Sequence, residues 1–276
     1  MLSAVQQLRD ALRNEDSQVT LDIAALQLAE IEFPGLDIEA SLFRLDHIAN
    51  TLRSQVSRTS SGLDFIRELN RLLFDDLQFH GNESDYYDPR NSCLNAVLSR
   101  RVGIPISLSI VYMEVARRLE RPVSGVALPG HFIVLYEDET SRYWVDPFHR
   151  GRILSIEDCR TLAKETAGVD LRSDLEALAP VTRRQILWRM LGNLKAIYLR
   201  GQALDKARQV LDLLIHSRPD FADEYRHRGL IYLQQLNHRA AKADLEMYLQ
   251  LAPAATERSQ VEQQLLLIER WKAGLN

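Results

Sequence analysis

The chain has 276 residues, of which 46% are hydrophobic and 26% are charged, and its formal net charge at pH 7 is −4. This length suits one large domain or two modest ones with a real core, and the composition is typical of globular proteins. Basic residues form scattered pairs, such as Arg100-Arg101, so we expect no nucleic-acid binding. Two cysteines, Cys93 and Cys159, are too few for a disulfide framework, which favours a reducing, cytoplasmic location.

The sequence also argues against a membrane protein. Its longest apolar stretch, Ile106 to Ala116, includes Glu114 and is far shorter than the roughly 20 residues that a membrane-spanning helix needs. The N-terminal segment turns charged early and has no apolar core of the kind that a secretion signal needs. We therefore expect no contact with a membrane.

Residues 1–80 are predicted to form helices that pack on the domain that follows. Apolar residues recur at helical spacing, as in the segment from Ile38 to Leu52 and in the segment from Leu63 to Leu77. Pro34-Gly35 and a polar run at residues 57–62 separate these segments.

Residues 81–182 are predicted to form an α+β core. A polar, turn-rich segment precedes a helix that Asn91 or Ser92 caps, that continues to about Arg101 and that Gly103 terminates. A second helix is expected from about Ser107 to Leu119.

Three short strands are expected to complete this core. They are Val123 to Leu128, His131 to Glu137 and Arg142 to Val145, with a polar hairpin loop between the last two. Helices followed by an antiparallel sheet indicate the α+β class.

Residues 183–276 are predicted to be two tetratricopeptide repeats and a capping helix. Tyr198, Ala207, Leu211 and Pro219 recur 34 residues later, and this spacing is the period of that repeat. Gly229 fits the small position of the second repeat. Two ordinary helical hairpins are the alternative interpretation.

Three residues in the predicted core form a candidate catalytic triad. Cys93 lies at the start of a helix, where free backbone N–H groups favour a thiolate and can stabilise an oxyanion. His131 opens one strand and Asp146 ends the next, so antiparallel pairing would bring the two side chains together. The alternatives are a buried apolar cysteine, a turn histidine and an Asp-Pro turn.

Other residues carry less chemical signal. Cys159 lies in a charged segment and is expected to be inert. His80, Asp88 and His149 lie in loops near the candidate site, but the two histidines lack ligand-like spacing to Cys93, so we expect no metal ion. No phosphate-binding loop or other cofactor motif is present.

Three segments resemble a known family. YYDPRNSCLNAVLSRRVGIPISLSIVYMEVARRL, GVALPGHFIVLY and WVDPFHRGRIL are similar to the SirB-type family, a transglutaminase-like domain followed by tetratricopeptide repeats. The resemblance covers about residues 78–156 strongly. It implies a papain-like core in which Cys93, the turn Gly103-Ile104-Pro105, His131 and Asp146 match the superfamily motif.

Two functions follow from these observations. The first is a cysteine-dependent acyl-transfer or amide-hydrolysing enzyme that acts on a protein or peptide, with Cys93 as nucleophile, His131 as base and Asp146 as its orienting partner. Hydrolysis, deamidation and transamidation remain open. The second is a non-catalytic adaptor that binds a protein through its repeats, an option that the resemblance supports because the family often lacks the cysteine. The sequence does not indicate the oligomeric state.

Overall fold

The computed structural model describes residues 4–13, 15–57, 59–171 and 178–274, so residues 172–177 of the predicted core domain lie outside the described residues. The helices are α1 Ala4–Ala11, α2 Leu21–Ala29, α3 Ile38–Arg53, α4 Gly62–Asn70, α5 Leu94–Arg100, α6 Pro105–Arg118, α7 Ile156–Ala167, α8 Arg183–Arg200, α9 Leu204–Ser217, α10 Ala222–Gln234, α11 His238–Leu251 and α12 Arg258–Gly274. The strands are β1 His80–Gly81, β2 Val102–Gly103, β3 Val123–Val126, β4 Ile133–Glu137, β5 Arg142–Asp146 and β6 Arg152–Leu154. Helices with a small antiparallel sheet confirm the α+β prediction.

The chain divides into two compact units, Met1–Asn193 and Leu194–Asn276. In the first unit, α2, α3, α5 and α6 contact one another. Helix α6 is buried from Pro105 to Ala116, and most of these residues are apolar. Among the described residues, no helix is both long enough and apolar enough to cross a membrane.

A four-stranded antiparallel sheet with the order β3-β4-β5-β6 forms the other layer of this unit. In the central hairpin, Val134 lies opposite Val145 and Leu135 lies opposite Trp144. Alternate side chains of these strands join Cys159 of α7 in one apolar cluster. A separate two-residue parallel pair, β1 with β2, connects the segments on either side of α5.

Helix α5 is shorter than the sequence predicted at both ends. Cys93, rather than Asn91 or Ser92, is its N-cap residue. Its end is set by Arg101, which takes the left-handed conformation with φ 60°, and not by Gly103. Gly103 lies in β2, where an added Cβ atom would come within 2.7 Å of the Ser107 hydroxyl, so the glycine permits close packing and does not stop the helix.

The second unit consists of helical hairpins in the repeat pattern. Ala207 and Leu211 are fully buried in α9, and their counterparts 34 residues later, Ala241 and Leu245, are fully buried in α11. Gly229 of α10 lies against Leu245, which confirms it as the small position of the repeat. Helix α12 packs on α11, and its role as a capping helix stays a prediction.

Arg228 ties the repeat helices together through charge. Its guanidinium binds Asp212 of α9 at 2.7 Å and Asp244 of α11 at 2.7 Å. Burial opposes the charge on Arg228, but the hydrogen bonds to both carboxylates outweigh it and raise the pKa of the side chain.

Substitution of Gly229 should test the close packing of the repeat helices. An alanine Cβ atom at this position would lie 2.9 Å from Leu245 Cδ2 and 3.0 Å from its Cγ. Leu245 would have to shift to make room for it. We expect Gly229→Ala to lower the free energy of unfolding by about 1 kcal/mol, because overpacking exceeds the gain in helix propensity. Gly192→Ala, where nothing lies within 4 Å, should raise it. Urea unfolding followed by circular dichroism measures both, and equal effects would contradict this account.

Candidate functional site

Asp146 and His131 form a buried pair at one end of the central hairpin. Strand β4 begins at Ile133, two residues later than predicted, so His131 lies in the turn that precedes the strand. Its Nε2 atom is 3.0 Å from both carboxylate oxygens of Asp146, the last residue of β5. His131 is 4% exposed and Asp146 is 1% exposed, so the hydrogen bonds form away from bulk water.

Arg189 fixes the backbone that carries His131. Its guanidinium donates to the carbonyl oxygen of His131 at 2.6 Å and to that of Leu128 at 2.9 Å. The turn between these residues is closed by Gly130, which has φ 69°. Arg189 therefore binds both ends of this turn, and the fixed backbone orients the imidazole of His131 toward Asp146.

His149 is a third member of this group that the sequence argument did not assign to the site. Its Nδ1 atom is 2.7 Å from Asp146 Oδ2, and its side chain is 47% exposed. The backbone N–H of Phe148 donates to Asp146 Oδ1 at 3.0 Å, so the carboxylate closes its own Asp-Pro-Phe-His turn. The sequence contained one indication of this contact. His149 follows Asp146 by three residues across an Asp-Pro turn, which can bring the two side chains together.

The charges of this group depend on one another. Burial raises the pKa of the Asp146 carboxyl, but hydrogen bonds from His131 and His149 outweigh this and lower the pKa to about 2. The hydrogen bond to Asp146 raises the pKa of His149 above its usual value. The arrangement therefore holds a carboxylate anion between two imidazoles.

Cys93 lies in an apolar setting. It is 1% exposed and packs with Ala29 and Ala96 in a small apolar cluster, and the partly buried Phe33 and Leu36 pack against this cluster. Its Sγ atom lies 3.4 Å from the Pro89 carbonyl oxygen, where a thiol can donate a hydrogen bond. The sequence predicts a thiolate at a helix start, whereas the structure shows a thiol that is buried from solvent.

The backbone around Cys93 is also committed. Its N–H donates to the carbonyl of Arg90 at 3.3 Å, and its carbonyl oxygen accepts from Val97 N–H at 3.0 Å. The N–H of Cys93 is therefore occupied in this state, unlike the free oxyanion donor that the sequence suggested. Beside it, Ser92 Oγ is buried without a hydrogen-bond partner among the described residues.

The loop before Cys93 is built around Asn91. The side-chain Nδ2 atom of Asn91 donates to the backbone carbonyl of Asp85 at 2.7 Å. The backbone carbonyl of Asn91 accepts from Ser107 Oγ at 2.6 Å. Asp88 caps the short helical turn Pro89–Ser92 and pairs with Arg90. Asp88 therefore has a structural role in this loop.

Cys159 and His80, which the sequence analysis also considered, take no part in the hydrogen bonds of Asp146, whereas Tyr86 contacts the turn that follows it. Cys159 is fully buried in the sheet cluster, and burial raises the pKa of its thiol to about 12. His80 is exposed and lies 3.0 Å from the carbonyl of Gln78 through its Nδ1 atom. Tyr86 packs edge-on against Phe148 with ring centres 6.5 Å apart.

His131, Asp146 and His149 offer three potential metal ligands within 4.8 Å of one another. Their contacts of 2.7 to 3.0 Å are hydrogen-bond distances. Donor atoms around a tetrahedral zinc ion lie about 3.3 Å apart, given bonds of about 2.0 Å. Shared protons account for this group, and the absence of a bound metal stays a prediction.

Comparisons with known proteins agree with this architecture. Residues 39–192 match the transglutaminase-like superfamily, and residues 194–266 match a tetratricopeptide repeat family. A UPF0162 protein of Xylella fastidiosa (strain Temecula1) is 39% identical over 244 residues, which cover 87% of this chain and 86% of that protein. The chain belongs to the SirB-type family of UPF0162 proteins.

Other relatives match a large part of the chain at lower identity. A UPF0162 protein of Vibrio cholerae is 26% identical over 254 residues, which cover 92% of this chain and 91% of that protein. F-box only protein 21 of Homo sapiens is 30% identical over 224 residues, 77% of this chain but 33% of that protein. SirB-type sequence therefore also occurs within a much longer eukaryotic protein.

The cover over Cys93 generates a labelling prediction. Leu36→Ala should raise the rate at which iodoacetamide alkylates Cys93 roughly tenfold, as a drop of about 1.4 kcal/mol in the cost of local opening would give. Leu162→Ala is the matched control, because Leu162 packs against the cluster that holds Cys159. It should accelerate labelling of Cys159 alone. Mass spectrometry resolves the two cysteines, and equal acceleration of both by either variant would refute the local cover.

His149 generates a pH prediction. Its pKa is raised in the folded state, so its contribution to stability is complete below the unfolded pKa of about 6.5 and is lost as pH rises through the folded pKa. We expect His149→Gln to lower the free energy of unfolding by about 1 kcal/mol at pH 5.5 and by less at pH 9. Urea unfolding at both pH values measures this, and a loss that grows with pH would be the wrong sign.

Proposed function

We propose that the protein is a cysteine-dependent acyl-transfer enzyme of the transglutaminase-like class, in which Cys93, His131 and Asp146 act together. The observation that carries the proposal is the buried hydrogen bond between His131 Nε2 and Asp146. It orients the imidazole and leaves Nδ1 as the nitrogen that takes up a proton. An ionised Asp146 stabilises the imidazolium that this step forms.

The proposed reaction runs through a thioester. His131 Nδ1 accepts the Cys93 proton, and Sγ forms a bond to the carbonyl carbon of an amide. As the C–N bond breaks, His131 returns the proton to the departing amine or ammonia. Water or a primary amine then attacks the thioester, which releases an acid or a new amide and restores the thiol. Hydrolysis, deamidation and transamidation differ only in the leaving group and in this second nucleophile.

This chemistry requires that the segment over Cys93 opens. Phe33 and Leu36, in the connection between α2 and α3, pack against the cluster of Ala29, Cys93 and Ala96. Local opening of such a connection is a common way for an enzyme to admit its substrate. The covered state described above is then the resting state, in which the thiol donates to the carbonyl oxygen of Pro89.

We further propose that residues 81–182 carry the reaction and that residues 1–80 support them. The repeats, residues 183–276, bind the protein or peptide substrate. Repeats of this class present extended surfaces to protein partners. A cytoplasmic location fits the two free cysteines of the chain.

Turnover on amide substrates tests the proposal. Release of ammonia from glutamine- and asparagine-rich proteins, together with incorporation of a fluorescent amine, covers the reaction classes. Cys93→Ala should reduce turnover about 10⁴-fold, and Asp146→Asn should also reduce it strongly. Cys159→Ala, at a buried cysteine outside the proposed machinery, should keep wild-type turnover. A Cys93→Ala protein that retains activity would sink the proposal.

A non-catalytic adaptor is the second candidate function. It is favoured by the burial of Cys93 among apolar side chains, which is how an unreactive cysteine packs. The transglutaminase-like unit would then be a stable core, and the repeats would hold a protein partner.

Cross-linking of the full chain inside cells separates the two functions. An adaptor should give reproducible cross-links to a partner that concentrate on residues 194–276 and persist in Cys93→Ala. An acyl-transfer enzyme should instead lose its modified products in this variant. Cross-links that scatter over the whole chain would contradict the adaptor.

A further inference from the structure

A cavity of about 490 Å³ lies in the first unit, separate in its lining from Cys93, His131 and Asp146. Its walls come from α3, from the segment that leads into β1, and from the C-terminal end of α5. We refer to it as the α3–α5 pocket. Its volume falls within the range of about 300 to 1,000 Å³ that is usual for small-molecule sites.

The floor of the α3–α5 pocket is apolar. Ile48, Phe79 and Leu98 line it and are themselves buried, so they are held by the core behind them. Phe43 stands at the edge of the pocket with 72% of its surface exposed. Phe43 therefore extends the apolar surface of the floor to the edge of the pocket.

Two arginines give the rim of the pocket positive charge. Arg44 lies on α3 beside His47, and Arg101 lies at the end of α5. All three are exposed. Within the described residues, the guanidinium groups of Arg44 and Arg101 have no hydrogen bond or ion pair. The two arginines are therefore available to a ligand.

Among the residues that the structure describes, no carboxylate belongs to the lining. The acidic residues just before Leu77 are committed elsewhere, because Asp75 pairs with Arg150 and Asp76 pairs with Arg71. An apolar floor below unpaired guanidinium groups is complementary to a molecule that is apolar at one end and anionic at the other.

We propose that the α3–α5 pocket binds a small amphipathic anion, with its apolar body on Ile48, Phe79 and Leu98 and its carboxylate between Arg44 and Arg101. Guanidinium groups match carboxylate geometry with two parallel hydrogen bonds, whereas a neutral or cationic headgroup gains nothing from them. This site is independent of the acyl-transfer proposal, since none of its residues belongs to the candidate triad.

Decanoate is a suitable probe, with decanol and decyltrimethylammonium as ligands of matched apolar length and different charge. Titration calorimetry on the full chain should show saturable binding of decanoate and at least tenfold weaker binding of the other two. In methyl NMR spectra, decanoate should shift the signals of Ile48 and Leu98. The exposed Leu266 and Leu267 of α12 report non-specific binding to apolar surface, and their signals should not move.

Charge variants complete the test. Arg44→Gln and Arg101→Gln should each weaken decanoate binding by about tenfold, which corresponds to about 1.4 kcal/mol, while decanol binding stays unchanged. Arg239→Gln, at an exposed arginine outside the pocket, is the matched control and should bind like wild type. The proposal is overturned if decanoate does not bind, if decanol binds equally well, or if the double variant Arg44→Gln/Arg101→Gln retains wild-type affinity.

Discussion

The buried carboxylate of Asp146 is the constraint around which the candidate site is organised. A charge that is 1% exposed is costly unless several donors surround it, and here two imidazoles and the backbone of the following turn supply them. This requirement fixes the end of β5, the shape of the turn and the orientation of His131. The same interactions keep the carboxyl ionised, because they lower its pKa to about 2.

Cys93 lies in a different environment from His131 and His149. The imidazoles are ordered by hydrogen bonds to Asp146, whereas the thiol lies in an apolar cluster against which Phe33 and Leu36 pack. A reactive cysteine needs an exposed, electropositive setting, and an inert one needs burial. The local opening of the α2–α3 connection therefore decides between catalysis and a purely structural role for this SirB-type fold.

Much of the fold was readable from the sequence, because helical spacing, the hairpin loop and the 34-residue offset are local patterns. The contact between His131 and Asp146 followed from strand pairing, although His131 lies just before its strand. The cover over Cys93 did not, since it depends on residues about 60 positions away in the chain. Nor did the end of α5, because Arg101 adopts a left-handed conformation that usually falls to glycine.

The pH dependence of Cys93 alkylation in the Leu36→Ala protein, with and without His131→Ala, tests the central claim most directly. If Cys93 and His131 act as a pair, rapid labelling should persist well below the unperturbed thiol pKa of about 8.5 and should disappear when His131 is removed. Cys159 is the internal reference for an unreactive thiol. A profile that follows an ordinary thiol and is the same in both proteins would contradict the catalytic account.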